Sequence, residues 1–422
     1  MLRRVSPVAV EAAHLSPVDA PTLAAARAIL DDVRDRGEPA LRAHAERLGD
    51  LPIGAPLVIT RDDLAAAARD LPPAALALLE RTATRVRAFA DAQRAAFANL
   101  DVAVPAGRAG HTLAPVDRAG CYAPGGRYPL PSSVLMTAVT ARAAGVEQVW
   151  VASPRPAVVT LAAAWVAGAD AVLAVGGAHA VGALAYGAGP VPRVDVIVGP
   201  GNRWVTAAKQ LVAGQVGIDM LAGPSELVVL ADETADPARI AADLLGQAEH
   251  DPDARPILVT WDPALPARVD AALAAQLATL PTAAVAREAV ANGFAVVCAD
   301  AEEALAVCDR LAPEHLEVLT AQAAAHAGRL RHYGGLFVGA ASAEVFGDYG
   351  VGPNHVLPTG TAARFSGGLN VLHFCRVRTW LRLDAADPAL AAVVEDAAAL
   401  ARLEGLEAHA RSAEDRRRLF GG

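Results

Sequence analysis

The chain has 422 residues, 54% hydrophobic and only 4% aromatic, with a formal net charge of −9. That length holds two or three domains with ample core, and the alanine-rich apolar content favours helices with small side chains. The acidic balance, with no basic stretch beyond the short "DRRRL" near the end, excludes a nucleic-acid binder.

In chain order, "MLRRVSPVAVEAAHL" lacks the long apolar stretch of a signal peptide, so a soluble cytoplasmic protein is expected. Residues 1–100 read as helices. "PTLAAARAILDDVRDRGEPALRAHAERLG" and "PPAALALLERTATRVRAFADAQRAAF" both carry apolar positions at helical spacing. From about Gly145 the rhythm changes. "VEQVWVASP", "DAVLAVGG" and "RVDVIVGPGN" read as strands, each followed by a helix of about ten residues. A second run begins at Ser225, with strands in "ELVVLAD", "PILVTWD", "FAVVCAD", "LEVLT" and "GGLFVG". Short apolar strands alternating with helices predict two parallel-sheet α/β units. The Gly/Pro-rich "DMLAGPSE" between them reads as a hinge or crossover. After "NHVLPTGTAARFSGG" the chain reads as helical again.

The charge-free stretch Ala171–Val191 carries five glycines, a proline and a histidine, so turns break it and a membrane span is not expected. Four scattered cysteines (Cys121, Cys298, Cys308, Cys375) form no CxxC pair and predict no disulfide framework. Lys209 is the chain's one lysine, hence the one candidate for Schiff-base chemistry.

Five clusters could carry chemistry. Gln247 and His250, three apart in "LLGQAEHDPD", would share a helix face and could hold a divalent metal. Asp348 and His355 fall in the Gly/Pro-rich "GDYGVGPNHVLPTG", after a predicted strand, where parallel sheets place their sites. Glu404 and His409, five apart in a C-terminal helix, diverge by about 140° around its axis at 3.6 residues per turn. "VIVGPGN" and "AVGGAH" are glycine turns opening helices, suited to a phosphate or to close packing alone. No GxGxxG is present. Last, "LAPEHLEVL" sets Glu314 beside His315, in a turn after Pro313. An imidazole titrating near 6.5 suits a general base. Taken singly, each cluster is also what a solvated surface carries.

Together these motifs resemble the histidinol dehydrogenase family: "CYAPGGRYPLPSSVLM", "VGGAHAVGALAYG", "VGPGNRWVTAAKQ", "IDMLAGPSELVVLAD", "ADLLGQAEHDPDA", "LAPEHLEVLT", "GDYGVGPNHVLPTG" and the Glu404/His409 pair, in the family's order. The resemblance implies an α/β fold of two Rossmann-like parallel-sheet domains without GxGxxG, plus terminal segments intertwined in a homodimer. The expected division is an N-terminal segment 1–20, a first domain from 21–121 and 225–369 carrying most of the metal and catalytic site, a second, NAD-side domain 122–224, and a helical dimerisation segment 370–422. The implied reaction is the NAD-dependent oxidation of L-histidinol through L-histidinal to L-histidine, with one zinc ion per subunit. Gln247, His250, Asp348 and His409 are implied as zinc ligands that also face substrate. Glu314 and His315 are the implied acid–base residues, and Ser225, His355 and Glu404 the substrate contacts. Glu404 and His409 would be supplied across the dimer interface. Tyr122 and Asn202 match NAD-binding positions. The family commonly reads "VGGAQA", with the Gln touching NAD; here that position is His179, which lacks an amide's paired donor and acceptor. On this reading His315 is the base, Glu314 helps activate water, and zinc orients substrate. A paralogous zinc/NAD dehydrogenase of another small alcohol is the alternative.

Overall fold

The computed structural model describes residues 1–10, 18–125 and 128–419. Gly126 and Arg127 of the "CYAPGGRYPLPSSVLM" motif, residues 11–17 of the expected N-terminal segment, and residues 420–422 lie outside these.

In chain order the strands are β1 (Arg3–Val5), β2 (Val58–Ile59), β3 (Leu100–Val104), β4 (Gly107–Pro115), β5 (Arg118–Tyr122), β6 (Gln148–Ala152), β7 (Ala171–Leu173), β8 (Val196–Val198), β9 (Gly217–Ile218), β10 (Glu226–Ala231), β11 (Arg255–Thr260), β12 (Phe294–Val297), β13 (His315–Leu319), β14 (Gly335–Val338) and β15 (Cys375–Leu383). One six-stranded sheet runs β1-β12-β11-β10-β13-β14, parallel throughout. A second runs β2-β7-β6-β5-β8-β9, parallel except for β2. Every residue of β10 and β13 is buried, because helices cover both faces of a parallel sheet. Each sheet has a point near its centre where descending strand order turns to ascending, between β10 and β13 in the first and between β5 and β8 in the second. Such switch points open a crevice at a sheet's edge.

The chain divides into two compact units, residues 1–92 with 116–374, and 93–115 with 375–422. Both parallel sheets belong to the first. The expected assignment of 21–121 to the catalytic domain needs correction. The stripe Ala26, Leu30, Val33, Leu41 and Ala45 packs with Leu173, Ala183, Leu184 and Ile197, in the core of the second sheet. Gly182 makes this possible: a Cβ there would lie 3.1 Å from Leu30 Cδ2. β5, also expected in the first domain, is the centre of the second sheet. The N-terminal strand β1 is the part of the early chain that joins the first sheet, beside β12.

The second unit holds an antiparallel sheet, β15-β4-β3, whose nine-residue β15 pairs with β4 along its length. Residues from 370 on are therefore not wholly helical. β15 is exposed along most of its length, Val377, Leu381 and Leu383 included. Ala106, Leu390 and Val394 make this unit's small core.

Candidate active site

β10 and β13 lie side by side, with Leu227 opposite His315. The helix Ala301–Leu311 ends at Ala312, which is left-handed (φ 44°) and returns its N–H to the Cys308 carbonyl. The next carbonyls, of Pro313 and Glu314, accept from Gly334 and Gly335 at 2.9 and 2.7 Å. The Pro-Glu-His stretch is thus pinned before the strand starts. Glu314 is off the strand, as expected, whereas His315 is the first residue of β13 and not part of the turn.

Both side chains turn toward β10. Glu314 Oε2 accepts the Glu226 N–H at 3.0 Å, and His315 Nδ1 lies 3.1 Å from the Glu226 carbonyl. A carbonyl only accepts, so Nδ1 carries the proton and Nε2 is left with its lone pair. That Nε2 is buried, has no hydrogen-bond partner, and lies 3.8 Å from Asp348 Oδ1. Burial pushes the His315 pKa down to about 4, so the ring is neutral near pH 7. Burial pushes the Glu314 carboxyl well up, with the Glu226 and Asp348 charges acting in the same direction.

Glu344, which sequence reasoning missed, joins this group. It is buried, its Oε1 is 3.7 Å from His315 Nδ1, and burial followed by the Asp348 charge raises its pKa well above the carboxylate range. His315, Glu344 and Asp348 offer one ligand atom each within 4.8 Å of one another. The signal was available: Glu344 is four residues before Asp348, the spacing of one helix face. Asp348 itself closes the short helix Glu344–Asp348 and does not sit in a loop.

The structure brings several other expected residues to this place. Gln247, next to last in the helix Pro237–Ala248, is fully buried, and both its amide oxygen and nitrogen lack partners. His250 is in the turn beyond that helix, so the pair does not share a helix face; its Nε2 lies 3.8 Å from Asp348 Oδ2. His355 is held through Nδ1 at the Asp348 carbonyl, 3.0 Å, with Nε2 3.4 Å from Ser133 Oγ. Ser225 precedes β10, where its carbonyl accepts Arg255 N–H at 2.9 Å. The Glu226, Glu314 and His315 grouping therefore sits at the amino ends of β10 and β13, not at the carboxyl ends that the usual rule favours for a site.

The expected cofactor residues do obey that rule. Tyr122 ends β5, and its hydroxyl accepts the Gly177 N–H at 3.0 Å; burial lifts its pKa to about 12. Asn202 follows β8 and caps the helix Arg203–Val212, accepting from Trp204 and Val205 N–H. His179 is buried after β7, its Nε2 3.0 Å from Asp50 Oδ2 and its Nδ1 unpartnered. Glu404 and His409 belong to the second unit and are exposed. They are not on one helix: Glu404 ends Ala389–Leu403, a turn at Gly405 (φ 78°) follows, and His409 lies in Glu407–Asp415.

The family model for histidinol dehydrogenase matches residues 17–417. The chain belongs to the histidinol dehydrogenase family. It is 46% identical over 395 residues to the histidinol dehydrogenase of Thermus thermophilus, covering 93% of each chain. It is 48% identical over 404 residues to that of Nitratidesulfovibrio vulgaris, covering 92% of this chain and 91% of the relative. The crystal structure of histidinol dehydrogenase from Elizabethkingia anophelis superimposes with a TM-score of 0.90 over 98% of both chains, at 26% identity. Membership makes the chain an oxidoreductase.

Proposed function

We propose that the chain oxidises L-histidinol through L-histidinal to L-histidine with NAD, the closing steps of histidine biosynthesis, at the His315 cluster. The observation that carries the reading is the His315 ring, neutral, buried, proton-bearing at Nδ1 and open at Nε2. Alcohol oxidation needs a base for the hydroxyl proton as hydride leaves for the nicotinamide. The aldehyde must then be hydrated and oxidised again. His315 Nε2 takes the proton at each oxidation. Glu314 serves the hydration: a carboxyl with a raised pKa is, once ionised, a stronger base toward water than an ordinary carboxylate. A buried site keeps the reactive aldehyde from bulk water.

The residues fit one zinc ion. An amide buried without a single partner, as in Gln247, is costly unless something else engages it. With His250 and Asp348 it offers the mixed N/O donors zinc accepts. His409 of the partner subunit would complete the set, and Glu404 of the partner subunit would face substrate. When bound, zinc supplies an anchor for the substrate's amine and imidazole. The exposure of Glu404 and His409, and the apolar surface at Val377, Leu381 and Leu403, support a homodimer. Tyr122, His179 and Asn202 face NAD on this reading. Among the described residues no helix is long and apolar enough to cross a membrane.

The test is turnover: two NADH formed per L-histidinol consumed, lost on chelation and restored by zinc. No NADH from L-histidinol overturns the reading. A second reading follows from the His315–Glu344–Asp348 grouping, in which His315 is a metal ligand and not the base.

A further inference from the structure

The chain's one lysine is buried, and the chemistry proposed above does not use it. Lys209 pairs with Asp219, and both side chains are almost wholly enclosed. Lys209 Nζ also donates to the Gly199 carbonyl at 3.0 Å. Asp219 Oδ2 accepts the Gly199 N–H at 2.7 Å, and its Oδ1 accepts from Met220 N–H at 2.6 Å. One ion pair therefore grips Gly199 by both of its backbone polar groups.

Gly199 sits where the second sheet reverses its strand order. It follows β8, and β8 pairs with β5, Val198 opposite Cys121. Its φ of 116° suits glycine, and a Cβ there would fall 2.1 Å from the Tyr122 carbonyl oxygen. Gly201 is as confined, since its Cβ would meet Val205 at 2.5 Å. Asn202 then caps the helix that carries Lys209 one to two turns further on. The strut thus starts from the helix the turn opens and closes back on the turn's first residue. Asp219 also begins the connection that runs to Ser225, and Thr206 Oγ1 ties that connection to the same helix through the Ala222 carbonyl, 2.9 Å.

Stability alone does not account for such a pair. Exchanging a buried ion pair for apolar side chains of like size is often neutral or stabilising. What an apolar pair cannot do is hydrogen-bond Gly199 from both sides. We propose that Lys209 and Asp219 are positioning residues that hold the Gly199–Asn202 turn in the geometry that receives NAD. The proposal rests on the reading of Tyr122 and Asn202 as cofactor contacts.

The test compares Lys209→Met/Asp219→Leu, Lys209→Arg and Asn202→Ala in the full-length zinc-loaded enzyme, by NAD titration and by kcat and KM for each substrate. The double variant is expected to raise Kd and KM for NAD about tenfold or more while KM for L-histidinol and zinc content stay near wild type; Tm falls as well, because the Gly199 N–H and carbonyl and the Met220 N–H lose their buried partners. Lys209→Arg, which keeps the charge and donors, should restore most of the affinity. Should the double variant not fold, Asp219→Asn, which keeps the shape, carries the same expectation for NAD. A folded double or Asp219→Asn variant with unchanged NAD affinity overturns the proposal. If Asn202→Ala also leaves NAD affinity unchanged, the fault lies in placing the cofactor at this turn; if Asn202→Ala weakens it alone, the fault lies in the strut.

Discussion

His315 Nε2 lies 3.8 Å from Asp348 Oδ1 and accepts no hydrogen bond. The lone pair there can take a proton from substrate or bind a metal, and the two uses exclude each other.

Replacing His315 by Asn separates them. As a base, its loss lowers kcat about 10²–10⁴-fold, the ordinary contribution of a positioned proton acceptor, while zinc content stays at one per subunit. As a ligand, its loss releases zinc. Metal analysis of the purified His315→Asn variant beside its turnover decides, and loss of metal would assign His315 to the coordination set with Glu344 and Asp348.

Gln247→Leu should move two quantities in opposite directions. Leucine cannot bind zinc, so competition against a chelator should show affinity reduced by at least about 10–100-fold, the size of effect that even a supporting residue of a metal site produces. The metal-free protein should become more stable by about 1–3 kcal/mol, because a buried amide with no partner disappears. Urea unfolding in the presence of chelator measures the second effect. A less stable metal-free variant would mean that the amide is satisfied without metal.

A pH dependence follows from Glu317, fully buried on β13 two residues beyond His315. Its Oε1 accepts the Glu344 N–H at 2.7 Å. Burial, with the nearby Asp243 charge, pushes its pKa to about 8, and Asp243 is raised as well. The folded state therefore holds a proton that the unfolded chain gives up near pH 4.5. The stabilisation is complete below the unfolded pKa and is lost as pH rises through about 8. Unfolding free energy in chelator should fall from pH 5 toward pH 9, and Glu317→Gln should flatten that slope. An unchanged slope in Glu317→Gln would assign the dependence elsewhere.

The strands of both parallel sheets from Gln148 onward, the two-residue β9 excepted, were legible because each is a short apolar run bounded by turns. β1, β2, β5 and β9 were not. "RRV" and "VI" are too short to show a period, and "RAGCY" hides a central strand behind glycine and arginine. Nor does an apolar stripe name its partner: Leu30 and Val33 fit either sheet until Gly182 is seen beneath them. Gln247, His250, Asp348 and His355 were legible as polar residues near element ends. Glu344 and Glu317 were hidden because an acidic residue in a sequence looks like surface, and only packing shows it buried.

Asp50 offers the sharpest local test of the cofactor side. Its Oδ2 accepts both the Gly176 N–H at 2.9 Å and His179 Nε2 at 3.0 Å. The carboxylate only accepts, so His179 Nε2 donates to it, while Nδ1 has no partner. Gly177, beside it, gives its N–H to Tyr122. Asp50→Ala leaves two buried donors unmade, about 1–3 kcal/mol each at most, and frees the ring to take the other tautomer. Tm should drop, and KM for NAD should rise with kcat little changed, because the proposed base, His315, stands in the other sheet. His179→Gln, which can still donate to Asp50 and adds an amide oxygen, should keep Tm and NAD affinity near wild type. If Asp50→Ala lowers Tm and leaves KM for NAD unmoved, the Asp50–His179 pair is a fold contact and His179 does not meet the cofactor.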